Sequence, residues 1–443
     1  MNKGLVFLAF MSVLLIGVLF FPIGAAAIIW GGILAIMIVW ILRVRAKSPE
    51  AANFLTNAFI AALLIRVFLA ILIYGGDLQE KFGPDAITYD AWGKMVSDYW
   101  WGMGTNPGVD LYRSGWGMPY IVAVTYFFIG QNPLALQMIS CVLGSATMVM
   151  AYFTSKEIFN NTRVAQYTAI SVGFFPAMVI WTSQLLKEGF IIFFLVLALY
   201  SAINLQKKFS YNWVIYLLIS LLFLSGLRFY VFFMVVIAIF GGFVLSVQAS
   251  VQGLASRFIA CVLVAVVLAY LGIWRMSADQ IDKFGSLERI QISRDWAARA
   301  GKSGFDKDVD VSTSDGAISA LPLGFVTLML APFPWQVSSL SQGLTMPEMI
   351  IWWLSIPFMI IGLIYTIKTR FRETIAILFF VLILSITYSL YQGNLGTLYR
   401  QRAQIQVFLL LFTAAGVALV VEKRENAKLI LKAQRMSRRL PVR

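Results

Sequence analysis

FLTNAFIAALLIRVFLAILIYG, residues 54–75, is an almost unbroken apolar run that holds a single full charge, Arg66. About 20 consecutive apolar residues cross the hydrocarbon core of a bilayer, so the run predicts a transmembrane helix. A strand of an outer-membrane barrel would instead alternate apolar with polar residues. A charge near mid-membrane costs several kcal/mol unless it meets a polar interior, so Arg66 should point into the protein and not into lipid.

Runs of the same kind lie on both sides, at 5–22, 25–43, 134–154, 164–182, 189–206, 211–226, 229–247, 256–274, 345–367, 374–391 and 404–421. Together they predict an all-α polytopic membrane protein of about 12 spans. Segments 211–226 and 229–247 read either as two helices or as one broken span. Over 443 residues the composition agrees: 60% is hydrophobic, 13% charged, and the mean hydropathy is +0.81. Such a chain is neither disordered nor a small disulfide scaffold. Histidine is absent, which removes imidazole as a base or zinc ligand. Cys141 and Cys261 both fall in apolar runs and read as small core residues.

The formal charge of +14 resembles a nucleic-acid footprint until its distribution is followed. The basic residues gather at 43–47, 156–163, 207–208, 368–372 and in the tail 422–443, which lie on one side when the spans alternate. Positively charged loops stay cytoplasmic, so the charge reports topology, with both termini inside and no nucleic-acid partner. Met1 to Ala27 resembles a signal peptide and is read as a retained first span. The basic tail is expected to be helical on the cytoplasmic surface, next to anionic membrane lipid. Two long outer loops remain, 76–133 and 275–344. Each is expected to carry an interfacial helix rich in aromatics, at Ser114–Gly130 and Leu321–Trp335.

Polar groups held at the outer face are the candidates for chemistry. In GPDAITYDAWGK (83–94), Pro84 sets the entry and Asp85 reads as the N-cap of an amphipathic helix. Tyr89 follows one turn later on the same face, with Asp90 beside it. In SQLLKEG (183–189), Lys187 and Glu188 stand next to hydrocarbon, and must pair with each other, snorkel or face a polar cavity. Arg228 falls at a turn, and Arg400 and Arg402 open the last span from the outer side. Guanidinium groups suit bidentate contact with phosphate oxygens, although Arg400 and Arg402 could equally snorkel to phospholipid. The alternating acids Asp306, Asp308 and Asp310 lack the glycine and glutamate of a calcium loop and read as a solvated turn.

At these residues the chain resembles the GT-C-type integral membrane glycosyltransferases, in the branch of the dolichyl-phosphate-mannose protein mannosyltransferases and the aminoarabinose transferase. The resemblance runs from about Phe54 onwards. It rests on the acidic loop motif (Asp85 and Tyr89, with Ala86 where that family has a second acid), the aromatic helix after it, the Lys187-Glu188 cluster and the Arg228 turn. It implies two additional spans at 1–45, a catalytic membrane body at 46–421 and the basic tail 422–443. It further implies a hexosyl or pentosyl transferase of a bacterial inner membrane, its active site facing outward. A sugar would pass, with inversion, from a polyprenyl-phosphate donor to a lipid, glycan or protein acceptor. Asp85, Tyr89 and Asp90 would be the catalytic set, and Arg66, Lys187, Glu188, Arg228, Arg400 and Arg402 would bind the donor, the basic ones at its phosphate. No cofactor is assigned; a divalent cation is the one candidate. Two other classes fit a chain of this build: an O-antigen ligase or polymerase using a pyrophosphate carrier, and a non-catalytic lipid or glycan transporter. The absence of an internal repeat argues against the transporter.

Overall fold

A computed structural model of the chain describes residues 24–45, 48–108, 116–245, 251–270, 272–273, 285–300, 304–305, 309–337, 343 and 345–437. Seventeen α-helices and no strand occur among the described residues. In chain order they are α1 (Gly24–Arg45), α2 (Pro49–Gly75), α3 (Gln79–Phe82), α4 (Asp85–Trp100), α5 (Gly117–Ile129), α6 (Pro133–Phe159), α7 (Thr162–Phe174), α8 (Pro176–Trp181), α9 (Glu188–Lys207), α10 (Tyr211–Leu227), α11 (Phe229–Leu245), α12 (Val251–Tyr270), α13 (Leu287–Ala300), α14 (Ser314–Leu330), α15 (Met346–Thr369), α16 (Phe371–Tyr391) and α17 (Leu395–Ser437).

Among the described residues, seven helices are long and apolar enough to cross a membrane: α2, α6, α9, α15, α16 and most of α1 and α17. The expected span 5–22 lies outside the described residues. The expected span 164–182 is not one helix. Pro176 has no N–H to offer and disfavours helical backbone at the residue before it. Phe175 is accordingly extended, and the chain divides into α7 and the short α8. Segments 211–226 and 229–247 are two helices, α10 and α11, that reverse at Arg228. Gly242 of α11 comes back beside Gln206 at the far end of α9, so this is a hairpin and not a broken span.

Helix ends are set by local chemistry. Ser48 caps α2 and Asn132 caps α6, each followed by a proline at the first helical position. Asn160, in left-handed backbone, ends α6; Asn161 then accepts the N–H groups of Arg163 and Val164 to start α7. Asn394 accepts from Gly396 and Thr397, so α17 begins well before the apolar run at 404 and carries Arg400 in its second turn. The expected interfacial helix 321–335 is displaced to Ser314–Leu330: Thr313 caps it, and the prolines at 332 and 334 end it.

α6, α9 and α17 form the buried centre, with α1, α2, α7, α10 and α15 packed round them. One end of the bundle joins Lys207 to Glu157 and Arg163 to Glu425, at 2.7 Å each. The other end gathers the last turn of α2, the helices α3 and α4, the α10–α11 turn, and the first turns of α9 and α17. The candidate site lies at this second end.

Candidate active site

Asp85 does not cap α4. Pro84 already has helical backbone and occupies the cap, so Asp85 is the first helical residue and its carboxylate is free to turn elsewhere. Asp85 Oδ2 pairs with Arg400 Nη1 at 2.7 Å. The Arg400 guanidinium also lies beside Glu188, whose Oε1 is 3.3 Å from Arg400 Nε and 3.1 Å from Arg228 Nη2. The Arg228 contact is a hydrogen bond; the contact to Arg400 Nε is electrostatic, since that nitrogen makes no hydrogen bond. One buried carboxylate thus aligns two guanidinium groups that lie far apart in the sequence.

Glu188 is 2% exposed, Arg228 10% and Arg400 17%, whereas Asp85 is 43% exposed and meets water. A buried pair of this kind persists where both partners are satisfied. Arg228 Nη1 is also buried and has no hydrogen-bond partner, while Nη2 donates to Glu188. The hydroxyls of Tyr230 and Tyr388, 3.3 Å apart, lie within its electrostatic reach, and Tyr388 donates to Gln404 at 3.0 Å.

Lys187 does not pair with its neighbour Glu188. Its ammonium stands 5.1 Å over the ring of Tyr89. Burial, and then the nearby Arg228 charge, bring Lys187 down to about 8. Burial and the charges of Asp85 and Glu188 raise the Tyr89 hydroxyl well above its ordinary value, so it stays a phenol that can donate a proton bond but not act as a base.

Asp85, Tyr89, Lys187, Glu188, Arg228 and Arg400 therefore meet at one place. Three other expected site residues do not. Asp90 accepts from Tyr126 Oη at 2.5 Å and from Gln131 Nε2 at 3.1 Å, which ties α4 to α5. Arg66 does face a polar interior, but one made by the α7–α8 break. It donates to Thr182 Oγ1 and to the carbonyl of Gly173, both at 2.8 Å. Arg402 donates to the Ala331 carbonyl at 2.7 Å just beyond α14 and lies 5.0 Å over the ring of Tyr399, whose hydroxyl donates to Glu348.

Gln79, Gln137 and Gln184 escaped the sequence reading. Gln137 donates to Gln79 at 2.9 Å. Gln79 in turn donates to the Gly83 carbonyl at 3.1 Å and to Gln184 at 3.2 Å, which pins the turn that aims Asp85. Their signal is an uncharged amide in or beside an apolar run, a placement that burial makes costly unless it is hydrogen-bonded.

No group of three His, Cys, Asp or Glu side chains that could hold a metal ion occurs among the described residues. The two carboxylates at the cluster each face a guanidinium, a donor set that does not fit a divalent cation. Asp306 and Asp308 lie outside the described residues. Asp310 accepts the Ser312 N–H at 2.8 Å, and hydrogen bonds from the Ser312 side chain and then its backbone hold the Asp310 carboxyl below the usual range.

Among solved structures, the chain is similar to an archaeal oligosaccharyltransferase, AglB from Archaeoglobus fulgidus, in complex with an inhibitory peptide and a dolichol-phosphate. The TM-score is 0.50, with 13% identity, over 89% of this chain and 53% of that one. The fold is GT-C-like. This chain spans about half the length of that protein. No family model and no curated protein matches the chain.

Proposed function

We propose that this protein is a membrane glycosyltransferase that moves a sugar from a polyprenyl-phosphate-linked donor to a lipid, glycan or protein acceptor at the outer face of a bacterial cytoplasmic membrane. The observation that carries the reading is the meeting of one water-reached carboxylate, Asp85, with three cations, Arg400, Arg228 and Lys187, at one end of a GT-C-like bundle. The likeness to a protein solved with a dolichol-phosphate supports a lipid phosphate as the ligand.

In this reading Asp85 takes the proton of the acceptor's nucleophile, which attacks the anomeric carbon. The bond from that carbon to the phosphate oxygen breaks. The electron pair leaves with polyprenyl phosphate, whose growing charge meets Arg400, Arg228 and Lys187, as fixed cations meet charge in other transition states. A single displacement inverts the anomeric centre. Glu188 makes no contact with sugar; it keeps the two arginines aligned. Tyr89 supports Lys187 from below.

Purified full-length protein in detergent, given a radiolabelled polyprenyl-phosphate sugar and a mixed pool of acceptors, should transfer label. Asp85→Asn should lower transfer by at least about 100-fold, as removal of a general base does, while the protein stays monodisperse. Full activity in that variant removes the base assignment. Turnover without a sealed membrane separates this reading from transport.

A further inference from the structure

We infer that Asp85 and the phosphate of a polyprenyl phosphate are alternative partners of Arg400, so that arrival of the lipid phosphate releases the Asp85 carboxylate to the acceptor. The identity of the anion and the later task of the freed carboxylate rest on the proposed function; the competition for Arg400 does not.

Three cations and two carboxylates share the cluster, so one positive charge is left over even with every acid in place. The two acids are not equivalent. Glu188 is buried at the first residue of a spanning helix and touches both arginines through one oxygen, so its departure would strand two guanidinium groups away from water. Asp85 touches Arg400 alone and is 43% exposed, and a pair with that much water round one partner is weak. The partner that yields is therefore Asp85.

Arg228 supplies the second half of the seat. Its side chain is nine-tenths buried, and its Nη1 has no hydrogen-bond partner. A buried guanidinium nitrogen without a partner costs free energy that an anion at that spot recovers. Since Glu188 holds Arg228 and Arg400 to the same oxygen, a phosphate that reaches Arg400 has the Arg228 guanidinium beside it as well. Guanidinium groups bind phosphate through paired N–H bonds, which a single carboxylate oxygen on one nitrogen does not match. With the phosphate in place, three anions would crowd Arg400, and repulsion sends the exposed carboxylate, Asp85, towards water. The consequence is order: the carboxylate becomes available to an acceptor hydroxyl only after the lipid phosphate is seated.

The test is equilibrium binding of farnesyl phosphate to the full-length protein in phosphatidylcholine nanodiscs, with no sugar transfer involved. Asp85→Asn, and Asp85→Ser as a second variant, should tighten binding about fivefold, the worth of a weak exposed ion pair. Asp90→Asn removes the same charge from the same helix and keeps an acceptor for Tyr126, so it should leave binding unchanged. In an Arg400→Gln background the Asp85→Asn gain should vanish. Unchanged or weaker binding in both Asp85 variants overturns the inference. So does equal tightening by Asp90→Asn, or a gain that survives without Arg400. A protein that shows the expected pattern but transfers no sugar keeps this inference and loses the proposed function. One whose transfer needs Asp85 while its binding ignores it does the reverse.

Discussion

Lys187 changes charge within an ordinary pH range because burial holds it near 8, below the free lysine value. A lysine lowered in this way is ammonium below about 8 and neutral above it. If its charge meets the departing phosphate, transfer should fall on the alkaline side with a midpoint near 8, by roughly tenfold, the worth of one charged hydrogen bond. A pH profile of kcat/KM checks this. Lys187→Arg should carry the alkaline limb to higher pH, and Lys187→Met should flatten it at a low rate; a limb unmoved in Lys187→Arg sinks the assignment. The same scale explains which expected site residues fell outside the cluster. On an α-helix Arg402 is turned about 200° from Arg400, and Asp90 about 140° from Asp85, while Tyr89 is only about 40° away. Helical arithmetic applied to the sequence separates these residues, once the helix is known to start at Leu395 and not near residue 404. The partners of Arg66 were not legible, because Thr182 and Gly173 lie more than 100 positions away in the chain.

Among the elements, the short α5 carries more of the site than its length suggests. At 13 residues it is about 20 Å long, too short for the hydrocarbon core. It wedges between α4, which begins with Asp85, and the α10–α11 turn, which holds Arg228. Both contacts are made through glycine. A Cβ on Gly93 would fall 2.2 Å from Val122 Cγ1, and one on Gly117 would fall 2.8 Å from the carbonyl carbon of Gly226. Gly93→Val should therefore push α4 off α5, cost about 1–3 kcal/mol of stability and weaken farnesyl phosphate binding, although the residue touches no ligand. Thermal unfolding in detergent together with the binding assay checks both; a Gly93→Val protein that is as stable and binds as well as the parent would show that the wedge does not set the site. The existence of these elements could be read from apolar runs and an aromatic stretch, but their boundaries could not. Pro176 inside an apolar run was the visible sign of the α7–α8 break, and hydropathy alone passed over it.

For the molecule as a whole, charge and helix direction agree on a polarity that no single contact carries. Each helix of the buried centre has one end at the Asp85 cluster and reaches the other end of the bundle near a basic segment: α6 at Lys156, α9 at Lys207 and α17 near Lys423. The ion pairs at that second end, Arg163 with Glu425 and Lys207 with Glu157, are largely exposed and contribute at most about 1 kcal/mol each, so they do not explain why the basic residues gather there. Retention of positive charge on the cytoplasmic side would explain it, and on the proposed function the cluster then faces the opposite compartment. Impermeant thiol labelling tests this polarity. In a chain carrying Cys141→Ser and Cys261→Ser, Thr105→Cys, on the exposed stretch after α4, should react in intact cells. Lys208→Cys, exposed at the basic end, should react only after the membrane is opened. Both sites are exposed, so a difference between them reports the side of the membrane and not burial. The reverse pattern would put Asp85 in the cytoplasm, where the sugar donor would have to be presented from the inner leaflet. Reaction of both in intact cells would mean that the basic end does not face inward, and the charge argument for an outward site would fall with it.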